Sequence, residues 1–235
     1  MPFILFMQIK AAIFDFDGVL NDTEGIKFKV WQRITKEQGI NIEKKFYIDN
    51  CCGKAAEDIV VILSKKYGFQ GNPSAVAHRM KEETKPLLLR EIRPIKENIQ
   101  FLKESFRIFK KNVALATSQD KDILLPSLKE LKIDQFFSVI VAGHEIKNMK
   151  PAPVIYLKAC EKLNVKPKEA VVIEDSQAGV ESAYNAGIGL IIATPGEFTR
   201  TQDFSKADVI VTKSKKLGKG QQKIFSSISH ITHIL

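Results

Sequence analysis

Two pairs of acidic residues are the first features of this sequence that could do chemistry. Asp15-Phe16-Asp17-Gly18 closes a compact apolar run at residues 11–16. Residues two apart at a strand end point to the same side, so both aspartates can face one site. An ionised aspartate is a nucleophile without a separate base, and Gly18 lets the chain turn sharply away from the strand. Glu174-Asp175 closes another apolar run, at residues 170–173. Adjacent carboxylates at a buried strand end are costly unless a cation is present. Magnesium, which takes one or two carboxylates with water and phosphate oxygens, suits them. Each pair also has a plainer reading, as an Asp-Gly turn or as an acidic helix start favoured by the dipole.

Two further positions fit the same chemistry. Thr117-Ser118 directly follows the apolar run at residues 113–116, and a hydroxyl with backbone amides at a strand-to-helix junction can hold phosphate oxygens. The plainer reading is a helix cap. Lys150, in Met149-Lys150-Pro151-Ala152-Pro153, stands just ahead of a helix that Pro151 allows to begin. Charge accounting links the four. Asp15, Asp17, Glu174 and Asp175 carry up to four negative charges, and a bound phosphate adds about two more. Like charges this close repel strongly in a cleft. One magnesium ion and Lys150 offset three of them, and a proton on Asp17 removes a fourth.

The elements that must position these residues are legible as alternating patterns. Short apolar runs at residues 11–16, 113–116, 138–142, 170–173, 189–193 and 208–211 predict the strands of a parallel sheet covered on both faces. Helical patterns at residues 123–131, 152–163 and 176–186 lie between them, the last with Ser176 as N-cap and Gly187 to end it. Residues 23–95 differ. They carry helical periodicity at 26–38, 55–67 and 73–90, punctuated by Gly39, Gly53, Gly68 and Gly71. The expectation is α/β: an open parallel-sheet core over residues 1–22 and 96–235, with an inserted α-helical domain over residues 23–95.

Composition bounds the rest. At 235 residues, 44% hydrophobic and 27% charged, the chain has ample material for a core. Cys51, Cys52 and Cys160 form neither a disulfide framework nor a zinc pattern, which suggests a reducing, cytoplasmic setting. The apolar opening at residues 1–7 is too short for a signal peptide, and either Met1 or Met7 serves as the start. No run approaches the roughly 20 apolar residues of a membrane span, so no membrane is expected. The net charge of +9 favours anionic partners. The lysine-rich stretch at residues 213–223 lacks the interleaved aromatics of a single-strand platform, and no nucleic acid partner is expected.

Taken together, Asp15-Phe16-Asp17-Gly18-Val19-Leu20, Thr117, Lys150 and Glu174-Asp175-Ser176-Gln177-Ala178-Gly179 resemble, in order, the four motifs of the haloacid dehalogenase superfamily. The resemblance spans residues 11–211. It implies a Rossmann-like core with a helical cap, and a magnesium-dependent (Mg2+) phosphatase acting on a small phosphorylated metabolite, such as a sugar phosphate or phosphoglycolate. It implies that Asp15 attacks phosphorus to form an aspartyl-phosphate and that Asp17 is the general acid and base. Thr117 and Lys150 would hold the phosphoryl group, with Ser118 beside them. Asp15, the Asp17 carbonyl and Asp175 would ligate the metal, with Glu174 in or near that shell. The second aspartate, Asp17, argues against halide displacement.

Several positions depart from the nearest branch, which holds sugar-phosphate phosphatases, phosphoglycolate phosphatases and β-phosphoglucomutases. Lys27 replaces a histidine of the first cap helix, Met149 a glycine and Val154 an aspartate. Ala56 stands where the mutases have a phosphate-binding arginine, which weakens the mutase alternative. Gly53 and Lys54 align with the cap segment that reaches the substrate, Lys54 as the partner of an anionic group or as part of a plain helix start. A non-catalytic protein binding phosphate or nucleic acid is a further alternative. The chain is expected to be a monomer or a homodimer.

Overall fold

Alternate residues of the apolar runs go to opposite faces of one sheet, which is why the runs carry almost no polar residue. The structure, a computed structural model, describes residues 9–212. The strands are β1 (Ala11–Phe14), β2 (Val113–Ala116), β3 (Val139–Val141), β4 (Ala170–Glu174), β5 (Leu190–Ala193) and β6 (Val209–Ile210). All are parallel, in the order β3-β2-β1-β4-β5-β6. The helices are α1 (Glu24–Lys36), α2 (Lys44–Asn50), α3 (Ala56–Tyr67), α4 (Pro73–Arg90), α5 (Lys96–Ile108), α6 (Lys121–Glu130), α7 (Val154–Lys162) and α8 (Gln177–Asn185).

Ala11, Ile13 and Val172 pack on one face with Ile155 and Tyr156 of α7 and Val180 of α8. Ala12, Phe14 and Ile173 pack on the other with Leu102 of α5 and Leu124 of α6. This is the parallel sheet covered on both sides that the sequence predicts. The register pairs Phe14 with Ile173, so the next residues along, Asp15 and Glu174, lie side by side where the two central strands end.

Helices α1 to α4 lie between β1 and α5 and have an apolar cluster of their own, centred on Trp31, Tyr47 and Leu63 and closed by Phe198. The chain leaves the sheet and returns through two adjacent segments. Asp22 N–H donates to Arg93 O (2.9 Å) and Arg93 N–H donates to Asn21 Oδ1 (2.7 Å). Ion pairs also span the seam: Lys81 with Asp120 (2.5 Å), Lys85 with Asp122, and Lys44 with Glu197 (2.7 Å).

Two boundaries beside the candidate site differ from expectation. The first strand ends at Phe14, two residues early, because Asp15 and Asp17 already belong to the turn in which Gly18 takes φ +74°. Helix α7 starts at Val154 rather than at Ala152. Pro153 disfavours the helical conformation for Ala152 before it, and Lys150-Pro151 is a cis peptide bond. Helices α2 and α5 have no counterpart in the sequence reading. The choice of start residue and the stretch at residues 213–223 lie outside the described residues. Among those residues, no helix is long and apolar enough to cross a membrane.

The helical cluster leans on Trp31, which is 1% exposed. Trp31→Ala is expected to cost about 3–5 kcal/mol, measured by chemical denaturation. A loss below about 1 kcal/mol would mean that this cluster does not hold the block together.

Candidate active site

The strand ends bring three carboxylates and one ammonium into a space too small for the charges to ignore one another. Lys150, on the loop after β3, donates to Asp15 Oδ1 (2.7 Å) and to Glu174 Oε1 (2.6 Å). Its side chain is 9% exposed. Glu174 is wholly buried, and both its oxygens are occupied. Oε1 also accepts from the Tyr156 hydroxyl (2.7 Å), while Oε2 accepts from Asp175 N–H, Ser176 N–H and the Ser176 hydroxyl. Ser176 then caps α8 by accepting from Gly179 N–H (3.2 Å).

These contacts set the charge states. Burial alone would push the Glu174 carboxyl up, but the Lys150 ammonium and the donors around it outweigh that and hold it below the usual range. Burial would likewise lower Lys150, and Asp15 and Glu174 together raise it well above an ordinary lysine. Asp15 is pushed up to about 7, chiefly by burial; Lys150 opposes this, and the charges of Glu174 and Asp17 add to it. Asp175 is driven well above the carboxylate range by burial and by Glu174, Asp15 and Glu24. Among the described residues its carboxyl group has one hydrogen bond, a long one from the Thr199 hydroxyl (3.4 Å).

A buried carboxylate with so little compensation is what a bound cation would relieve. Asp15, Glu174 and Asp175 each offer an oxygen within 4.8 Å of the others. Of the three, Asp15 and Asp175 line the open cavity, whereas Glu174 lies behind it, engaged with Lys150. The backbone is shaped to admit these groups. A Cβ on Gly18 would stand 2.0 Å from Asp175 Oδ2, and one on Gly179 would stand 1.8 Å from Glu174 Oε1.

Asp17 faces the same cavity. Gln119 Nε2 donates to its Oδ2 (3.1 Å), and Lys27 Nζ lies 3.7 Å from that oxygen. Lys27 is shared with Glu24 (2.8 Å), which also accepts from the Tyr47 hydroxyl and the Cys52 thiol. Thr117 is 1% exposed, and its hydroxyl accepts from Gln119 N–H (3.1 Å).

The structure brings Asp15, Asp17, Thr117, Ser118, Lys150 and Asp175 to one cavity of about 390 Å³, with Gly53 and Lys54 on its far wall. Helix α3 starts only at Ala56, which leaves Lys54 on the loop before it. Four neighbours have no counterpart in the sequence reading. Tyr156 and Thr199 carry no signal in their local pattern. Gln119 does, standing two residues after Thr117, and Glu24 stands three residues from Lys27 on α1.

The haloacid dehalogenase-like hydrolase family model matches residues 12–193. A phosphorylated carbohydrates phosphatase of Thermotoga maritima is 37% identical over 183 residues, covering 77% of this chain and 82% of that protein. The crystal structure of CbbY from Rhodobacter sphaeroides in complex with phosphate superposes with a TM-score of 0.71 at 26% identity, covering 87% of this chain and 94% of the other. The β-phosphoglucomutase of Clostridium difficile gives 0.66 at 26% identity, covering 94% of this chain and all of that one.

Loss of the central ammonium should be felt by the fold. Lys150→Met is expected to cost about 3–5 kcal/mol near neutral pH in metal-free buffer, because it strands buried carboxylates. Those carboxyls then titrate above their unfolded values, so stability is lost as pH rises through the raised value and recovers as pH falls. Urea denaturation across a pH series checks both; a pH-independent deficit would contradict the electrostatic account.

Proposed function

The chain belongs to the haloacid dehalogenase-like hydrolases and is an enzyme of their phosphatase branch, and on that premise we propose a magnesium-dependent phosphatase for small sugar-type phosphate esters, working through an aspartyl-phosphate on Asp15. The observation that carries this reading is Lys150, bridging Asp15 and Glu174 beside the under-compensated Asp175, with Asp17 across the same cavity.

Lys150 engages Asp15 Oδ1, which leaves Oδ2 to attack phosphorus. As that O–P bond forms, the bond to the leaving oxygen breaks, and Asp17 delivers its proton to the departing alcohol. Asp17, now ionised, takes a proton from water whose oxygen attacks the same phosphorus. The Asp15–phosphorus bond then breaks, freeing phosphate and restoring Asp15. Gln119 and Lys27 hold the Asp17 carboxylate where both transfers occur. Thr117, Ser118 and Lys150 receive the phosphoryl oxygens, and most of the acceleration comes from this positioning and charge stabilisation. Asp15, Asp175 and the Asp17 carbonyl would hold the magnesium ion, with Glu174 fixing Lys150 behind them. When bound, magnesium neutralises charge on the transferring group.

Residues 23–95 act in this reading as a cap over residues 1–22 and 96–235, presenting Gly53 and Lys54 to the substrate. Closure of such a lid excludes water from the reaction. A mutase must hold a second phosphate, and Ala56 on the cavity wall brings a methyl group and no charge to that task.

Phosphate release from a panel of sugar phosphates, phosphoglycolate and nucleotides is expected to need magnesium and stop with EDTA. Asp15→Asn should release none, and Asp17→Asn should lose roughly 10²–10⁴-fold. Conversion of glucose 1-phosphate to glucose 6-phosphate with a bisphosphate primer would replace phosphatase by mutase. Independently of turnover, magnesium at 100 times its Kd should stabilise the protein by about 2.7 kcal/mol. That is a rise of roughly 5–10 °C in Tm, and Asp175→Asn should abolish it.

A further inference from the structure

The connection from β5 to β6 touches the helical block and the acidic floor through two consecutive residues. Phe198 packs in the block's apolar cluster, against Phe28 (ring centroids 6.0 Å apart) and Tyr47 (6.2 Å). Thr199, the next residue, is 2% exposed, lines the main cavity and donates to Asp175 Oδ2 (3.4 Å). Asp175 is one of the groups that would hold the magnesium ion. Hydrogen bonds to a ligating carboxylate set its orientation and so its affinity for the cation.

The segment is tied to the block on both sides of this pair. Glu197 accepts from Lys44 (2.7 Å), whose ammonium also stands 4.8 Å from the centre of the Phe198 ring. Gln202 Nε2 donates to Cys52 O (3.2 Å), while Gln202 Oε1 accepts from Gln177 N–H at the start of α8 (2.8 Å). The turn between these anchors is closed on itself. Gly196 N–H donates to the Thr199 hydroxyl (3.0 Å), Arg200 N–H to Gly196 O (3.1 Å) and Gln202 N–H to Thr199 O (2.9 Å). A hydroxyl has one proton to give, and with Gly196 on an acceptor site of the oxygen that proton is aimed at Asp175. Phe198 and Thr199 therefore shift as a unit, and the seating of the ring in the block sets where the hydroxyl stands.

We propose that residues 196–202 form a coupling strap, in which Thr199 is a positioning residue that orients Asp175 for the cation and Phe198 makes that orientation depend on the packing of the helical block. Binding linkage is reciprocal, so cation binding at Asp175 in turn tightens the block on the strap. The proposal rests on the magnesium reading of the site and adds to it two residues outside the four motifs.

The test is calorimetric binding of magnesium to the full chain without substrate, read beside the emission of Trp31, the single tryptophan, which is buried in the same cluster as Phe198. Thr199→Val should raise the magnesium Kd at least about tenfold, and Thr199→Ser, which keeps the hydroxyl, should stay within about threefold of wild type. Phe198→Leu should raise Kd about threefold or more. The double variant should bind as Thr199→Val does, because the ring acts through the hydroxyl. Gln202→Ala, which unties the strap from Cys52, reads the same coupling at the other anchor if Phe198→Leu does not fold, and should also raise Kd about threefold. Saturating magnesium should shift Trp31 emission in wild type and in Thr199→Ser and leave it unmoved in Thr199→Val. An unchanged Kd in Thr199→Val, additive losses in the double variant, or the full Trp31 response in Thr199→Val would overturn the proposal. If wild type itself binds no magnesium, the magnesium reading fails and takes the strap with it. If wild type binds and the variants match it, the strap fails alone.

Discussion

The buried ammonium of Lys150 is the constraint around which the rest of the site is arranged. Three carboxylates cannot share a closed space at the end of a sheet unless something positive stands between them. Lys150 meets Asp15 and Glu174 within 2.7 Å, and its position is over-determined. Glu174 is fixed by Tyr156 from α7 and by the amides and hydroxyl at the start of α8. The strand register then puts Asp15 beside Glu174. A shift of one residue in either strand would turn that strand's acid to the other face and separate the pair. Asp15 is thus aimed by the hydrogen bonding of the sheet, and its charge is governed from behind the cavity.

The helical block meets this rigid floor through a different kind of contact. Its two connections to the sheet are pinned to each other by backbone bonds and by Asn21, and its own core is separate. Along the seam Lys81, Lys85 and Lys44 reach acids on the sheet side, beside apolar contacts of Phe198 with the block's cluster and of Ile123 with Ile26 and Leu88. Exposed ion pairs contribute little each and weaken with salt.

The sheet and the four acidic residues were legible because each strand is a short apolar run and the acids interrupt that pattern at its end. Asp15 and Glu174 announce themselves by costing burial energy that only a partner returns. Thr117 and Lys150 needed the resemblance to give them weight, since a threonine after a strand and a lysine before a proline are common. Tyr156 was hidden because it sits in an apolar helix face where an aromatic is ordinary core. Thr199 reaches Asp175 from a loop 24 positions away, a relation that local spacing does not encode. The start of α7 was misplaced by reading Pro151 alone, when Pro153 two residues on governs the backbone. Helix α5 went unread although Phe101 and Leu102 face the sheet; its many charges dilute the apolar stripe.

The three cysteines have a practical consequence. All are free and buried. Burial pushes Cys51 and Cys160 each up to about 11, and Cys52, beside Glu24, is driven higher still. Thiolate is the form that reacts with electrophiles, so near neutral pH all three native thiols are slow. A single cysteine placed on the outer surface of the helical block would be the fast one. The wild-type background therefore needs no cysteine removal before a fluorophore is attached there to read whether the block moves.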